Sequence, residues 1–229
     1  MPGTALAIGI SIATTPAAAA PGGVAYILRD EFTTDAAAPL TSPRACEPGP
    51  GSWTLTQATG AITIVSSQLE MTGTNAINST RLVSVDSFAR SAGLAILVDK
   101  VSGTANAQLG WSFNSTGTWD QGVFAKPNGG AGRGSTQQIS PTIDDIMPSS
   151  VGYAIILRTA GAFVCYESSP GVWGIGFVYN ALTTTPVYAV LHHYQNTKNI
   201  LDNARVVQMA GDWSTDYGVA DVHATPAVR

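Results

Sequence analysis

Charged side chains are scarce in this sequence: 11 Lys and Arg and 15 Asp and Glu make up 11% of 229 residues, against about 25% in an ordinary soluble domain. The formal net charge is −4. The basic residues stand singly, so there is no patch for a nucleic-acid backbone and nucleic acid is not an expected partner. Apolar runs fall short of the roughly 20 residues that cross a bilayer, so no membrane span is expected. Cysteine is limited to Cys46 and Cys165, without a Cys-x-x-Cys pair. Cys165 lies in the apolar run Ala162 to Tyr166 and reads as a buried thiol, whereas Cys46 lies in a Pro/Gly loop. Sequence does not fix the distance between them, so a disulfide and two free thiols both stay open. A capped 3.6-residue period is also missing. Only short turns at Ile143–Met147 and Ala36–Ala38 are candidates for helix.

What the chain does have is 45% apolar residues and a polarity carried by Thr, Ser, Asn, Gln and Gly. That composition folds. It suits either a surface covered by copies of itself or partners, or a secreted β domain with a hydroxyl-rich exterior. From Val24 onward, strand-like runs recur every 8–12 residues or so between Gly, Pro, Asn and Ser clusters, the signature of a sandwich or jelly roll. The runs are Val24–Arg29, Ser52–Gln57, Ala61–Val65, Gln68–Thr72, Ile77–Val85, Leu94–Val101, Ala107–Asn114, Gly122–Ala125, Thr136–Ile139, Gly152–Arg158, Ala162–Tyr166, Trp173–Tyr179, Val187–Tyr194 and Ile200–Met209. Leu94 to Val101 is almost continuously apolar, as in a strand covered on both faces. Leu109 to Asn114 sets its large residues on one face. The expected organisation is one domain: an arm at 1–23, a β-sandwich at 24–212 and a tail at 213–229. The arm is rich in Ala, Gly and Ile but has no Lys or Arg for a signal peptide's n-region. It reads as an extended strap in which Leu6, Ile8, Ile10 and Ile12 contact a neighbouring subunit.

Candidate chemistry is sparse. Two carboxylates on one strand face would be needed for glycoside hydrolysis. Glu31, Glu47, Glu70 and Glu167 have no such companion on a strand, and Asp35 follows Glu31 only in a loop. The adjacent pairs Asp30-Glu31 and Asp144-Asp145 would diverge on a strand. His192 and His193 diverge likewise, and His223 lies in the tail, so no metal site is expected and the two strand imidazoles read as one core and one surface group. The Gly-rich stretch from Asn128 to Ser135 lacks the ending of a phosphate loop and reads as a flexible turn. Trp119, in a Ser/Thr/Gly loop, and Trp173, after Pro170-Gly171, are candidates to stack on a sugar ring, although a lone aromatic more often packs over a sandwich edge. No catalytic residue and no cofactor is expected.

Arg29-Asp30-Glu31-Phe32, then Trp53-Thr54-Leu55, then Gln68-Leu69-Glu70-Met71, form one set of short motifs. The closing run Ile200 to Met209, containing Leu201-Asp202-Asn203 and followed by Trp213 and Tyr217-Gly218-Val219-Ala220, forms another. Together they resemble concanavalin-A-like (lectin/glucanase, LamG-like) jelly rolls of bacteriophage virion structural proteins, over about residues 24–220. The resemblance implies an all-β jelly-roll sandwich with an extended N-terminal arm. It implies a non-enzymatic tail, fibre or capsid-decoration component in the virion, held to other virion proteins and to its own copies, as a homotrimer. By analogy with lectins of this fold, Asp30, Asp202 and Asn203 are calcium candidates, though an Asp capping a turn is the simpler reading. The alternative expectation is a carbohydrate-binding module or adhesin for a host-surface glycan.

Overall fold

The computed structural model describes residues 25–73, 80–89, 94–103, 107–118, 122–125, 131–133, 137–139, 152–158, 161–169, 172–180, 186–193 and 198–208. The arm, with Leu6, Ile8, Ile10 and Ile12, and the tail lie outside the described residues, as do Trp119, the Ile143–Met147 turn and His223. The described residues form sixteen strands in chain order. They are β1 (Ala25–Asp30), β2 (Arg44–Ala45), β3 (Ser52–Gln57), β4 (Ala61–Val65), β5 (Gln68–Thr72) and β6 (Thr80–Ser84). There follow β7 (Leu94–Gly103), β8 (Ala107–Ser112), β9 (Gly122–Ala125), β10 (Ala131–Arg133) and β11 (Gln137–Ile139). The last are β12 (Gly152–Arg158), β13 (Gly161–Ser169), β14 (Val172–Asn180), β15 (Tyr188–His193) and β16 (Lys198–Gln208).

They form two antiparallel sheets, as the spacing of the apolar runs predicts. The first, here the terminal sheet, has the order β14-β13-β12-β7-β16-β5-β4, with β1 also paired to β16. The second, here the median sheet, has the order β11-β10-β9-β8-β15-β6-β3-β2. One continuous core lies between them, built from Leu28, Ile96, Ile155, Val164 and Val206 on one side and Trp53, Leu82, Trp111 and Leu191 on the other. Each fully buried aliphatic side chain of this kind contributes roughly 1.5–3 kcal/mol. Leu94 to Val98 are all buried, so β7 is covered on both faces, as its unbroken apolar run suggests.

Two indoles cross the core and find hydrogen-bond partners there, as buried tryptophans must. The Trp111 Nε1–H donates to the Ile155 carbonyl at 3.0 Å, tying β8 to β12. The Trp53 Nε1–H donates to Asp30 Oδ2 at 3.0 Å, tying β3 to β1.

Three local expectations are corrected. Ala36–Ala38 is no helical turn: Ala36 bridges Ile64 and exchanges both backbone hydrogen bonds with it, because β4 offers it a free edge. Arg44–Ala45, at the start of the Pro/Gly loop expected around Cys46, is strand β2, paired with Trp53 and Ser52. Part of the Gly-rich stretch expected as a flexible turn is strand β10, paired with both β9 and β11.

Candidate functional site

Among the described residues Asp30 is the best-connected acid. It is fully buried and points into the sandwich. Its Oδ1 accepts from the Phe32 amide at 3.0 Å and the Glu47 amide at 3.2 Å. Its Oδ2 accepts from Trp53 and from the Arg44 guanidinium, with which it forms an ion pair. Arg44 in turn lies over the Phe32 ring, and Phe32 holds a left-handed φ of 50° that lets its amide turn back on Asp30. Burial pushes the Asp30 carboxyl up from its usual value, against the pull of Arg44 and the two amides. The Asp-x-Phe and Trp motifs are thus halves of one clamp joining the edges of the two sheets. The calcium candidates are not assembled: Asp30 faces inward, Asp202 is exposed and Asn203 binds Asp99. No group of three or more His, Cys, Asp or Glu with metal-holding geometry occurs among the described residues.

The two histidines diverge as expected, but both are buried, which corrects the reading of one as a surface group. His193 faces the core, and its Nδ1 lies 2.5 Å from Asn199 Nδ2 of the opposite sheet. His192 shares the outward face of the median sheet with Val190, in register with Arg81. Desolvation, with added repulsion from Arg81 and His193, pushes its pKa down to about 3. A loop covers the middle of this face. Asn114 Oδ1 accepts from the Thr116 hydroxyl at 2.7 Å and the Gly117 amide at 3.0 Å, and the Arg81 Nε–H donates to the Thr116 carbonyl at 2.7 Å. Gly117, at φ 64°, rests on Val83 and Val190 without room for a Cβ.

Acidic groups are partitioned between the sheets. The eight strands of the median sheet carry no Asp or Glu, whereas Asp30, Glu70, Asp99, Glu167 and Asp202 all lie on strands of the terminal sheet. No described strand reads Glu-x-Asp-x-x-Glu. Register nevertheless brings distant residues into one row across the terminal sheet: Asn203 opposite Asp99, Asp99 opposite Gly152, Gly152 opposite Glu167, and Glu167 opposite Trp173. Partners directly opposite share a face. Asp99 and Asn203 lie on the outward face, because the alternate residues Val98 and Ala204 belong to the core. Asp99 Oδ2 accepts from Asn203 Nδ2 at 2.5 Å and from an Arg205 terminal nitrogen at 2.5 Å. The row spans three strand spacings from Asp99 to Trp173, roughly 14 Å. Sequence reasoning named Trp173 as a stacking candidate, and its side chain lies outside the described residues; it missed Asp99 and Arg205, which acquire their companions only through register.

Both cysteines are free and buried. Burial raises the Cys46 thiol and pushes Cys165 up to about 12.

No family model matches the chain, and no curated protein matches it. Solved structures do. The endo-β-1,3-glucanase from Pyrococcus furiosus is 12% identical, with a TM-score of 0.50 over 82% of this chain and 95% of that one. β-Agarase A, solved in complex with oligoagarose, is 10% identical, with a TM-score of 0.51 over 84% of this chain and 96% of that one. The sandwich is a concanavalin-A-like jelly roll. At this identity the likeness establishes the fold alone, and these neighbours lend no support to the finer resemblance to bacteriophage proteins. They also overturn the expectation of a non-enzyme: the fold is one that glycoside hydrolases use, so neither the fold nor a missing sequence pattern excludes catalysis.

Proposed function

We propose that this chain recognises a carbohydrate on the outward face of its terminal sheet. The observation that supports the reading is the backbone register that aligns Asp99, Gly152, Glu167 and Trp173 across the terminal sheet, with Asp99 held by Asn203 and Arg205. Glycan sites combine these chemistries: an aromatic face for the apolar side of a pyranose and acceptors for its hydroxyls. The glucanase and agarase names of the structural neighbours agree with a polysaccharide partner.

The experiment is a glycan microarray with the full chain, paired with reducing-sugar release from any glycan bound. Trp173→Ala should abolish the signal while the far-ultraviolet circular dichroism stays unchanged. Array binding that survives Trp173→Ala places the site elsewhere. Reducing-sugar release would make the row part of a catalytic site rather than a binding site alone.

A role as a self-associating virion component is the finer reading, supported by the scarcity of charge, since interface centres exclude charged groups. Removing residues 1–23 should leave a folded domain but a smaller particle in analytical ultracentrifugation. An unchanged sedimentation coefficient, after correction for mass, counts against the arm.

A further inference from the structure

We infer that the uncharged N-terminal segment, through Leu6, Ile8, Ile10 and Ile12, packs on the outward face of the terminal sheet of its own chain. That face is closed over two adjacent rows. Register aligns Val207, Ala95 and Ile156 in one row, and Arg205, Leu97, Ala154 and Cys165 in the next. These residues point away from the median sheet, because the alternate residues Val206, Ile96, Ile155 and Val164 belong to the core between the sheets. The six apolar members of the two rows are nevertheless each no more than 3% exposed. Side chains stand roughly perpendicular to a sheet, so an outward row stays open to water unless a further layer lies on it. None of the sixteen described strands supplies that layer: each belongs to one of the two sheets, and the median sheet packs on the opposite face. The cover therefore comes from the rest of the chain.

Composition and reach single out the N-terminal segment. An apolar face strips water from whatever lies on it, so a charged side chain in the covering segment is strongly disfavoured. The chain has no Asp, Glu, Lys or Arg before Arg29. The stretch after β16 carries Asp212, Asp216, Asp221 and Arg229, and the one between β11 and β12 carries Asp144 and Asp145. Leu6, Ile8, Ile10 and Ile12 alternate with Ala7, Gly9 and Ser11, a spacing that an extended backbone turns into one aliphatic side. β1 starts at Ala25, opposite Gln208 and so beside Val207, which brings the segment in at the margin of the closed rows. From Ile12 to Ala25 the chain can reach up to roughly 43 Å, whereas the rows extend three strand spacings, roughly 14 Å. Leu6 to Ile12, about 20 Å when extended, is long enough to lie across them. The closed rows lie beside the Asp99 row and carry none of the proposed carbohydrate contacts. A self-associating particle would send the segment to a neighbouring copy instead, and dilution separates the two arrangements.

Cys165 is a native reporter beneath the cover, and Cys46, which belongs to the core between the sheets, is its internal control. Labelling of both thiols by a maleimide at pH 8 is followed in the full-length protein by peptide mass spectrometry. Combining Ile8→Asp with Ile10→Asp should label Cys165 at least about tenfold faster than in the wild type, with Cys46 as slow as before. Ile8→Val with Ile10→Val should keep Cys165 protected. Unchanged protection of Cys165 in the Asp variant overturns the assignment, because a different segment then closes the face. In the wild type that protection should be the same at every protein concentration; protection that fades on dilution gives the face to a second copy's segment and overturns the assignment to its own. Where the Asp variant exposes both thiols by unfolding, a photocrosslink decides. Ile10→p-benzoylphenylalanine in the otherwise unaltered chain should, on irradiation, join residues 95–97 or 154–156 of the same polypeptide. Links only elsewhere, or only between chains, refute the packing.

Discussion

Acidification should unfold this protein through His192 before it titrates most carboxylates, and the size of the effect follows from its burial. Desolvation, then Arg81, then His193, lower its pKa from 6.5 to about 3 in the folded state. In the unfolded chain the imidazole regains its ordinary value. Between these limits the unfolded state binds the extra proton, so stability rises with pH across the window and is lost as pH falls through it. The full difference, roughly 3.5 units at 1.36 kcal/mol each, sets a ceiling of about 4.8 kcal/mol. About 2 kcal/mol of it is gone by pH 5 and about 3 kcal/mol by pH 4, by the same linkage. The assay is urea unfolding at pH 7, 5 and 4 for the wild type and His192→Gln, with the difference between the two pH profiles isolating this one group from all others. His192→Gln should flatten the profile by those amounts. Parallel profiles would refute the argument, because they would mean His192 charges as readily inside the sandwich as in water.

Asp30→Ala should destabilise the fold by about 3–5 kcal/mol, because it removes the buried partner of Arg44 and leaves that guanidinium only its 3.5 Å pairing with the partly exposed Glu47; guanidinium unfolding measures it. Trp111→Phe should cost about 1–3 kcal/mol, since it leaves the Ile155 carbonyl without its donor, a loss visible as a lowered Tm. Gly117→Ala combines a left-handed φ with contact on Val83 and Val190 and should cost about 1–3 kcal/mol, with faster hydrogen exchange in the 113–118 loop. Cys46 and Cys165 should resist a thiol reagent at pH 8 in the native protein and react fully in denaturant; rapid native labelling would contradict their burial.

The alternation of apolar residues made most of this fold legible, and Ser52–Gln57, Ala61–Val65, Gln68–Thr72, Gly122–Ala125 and Gly152–Arg158 coincide with their strands end to end. A pleat leaves a mark in sequence because every second side chain is buried. β2 left none: two residues cannot alternate, and Arg44 is in strand conformation because Asp30 and Trp53 hold it there. β10 was obscured by Gly129 to Gly134, whose glycines signal turns regardless of what they pair with. The candidate row was illegible for a different reason. Asp99, Gly152, Glu167, Trp173 and Asn203 come from five strands, and no local pattern states how far one strand slides against another. Asp30 and Trp53 could be recognised as a motif but not as a clamp, because the interaction joins opposite sheets.

The pairing of β1 with β16 has an architectural outcome. Ala25 stands opposite Gln208, while Asp30 stands opposite Ala204, so the polypeptide enters and leaves the sandwich at a common corner. Asn203 lies five residues down the strand from that corner, roughly 17 Å away. A short bridge from Gln208 back to Ala25, with new ends cut at Ser115–Thr116, should therefore yield a circularly permuted domain with the same two layers.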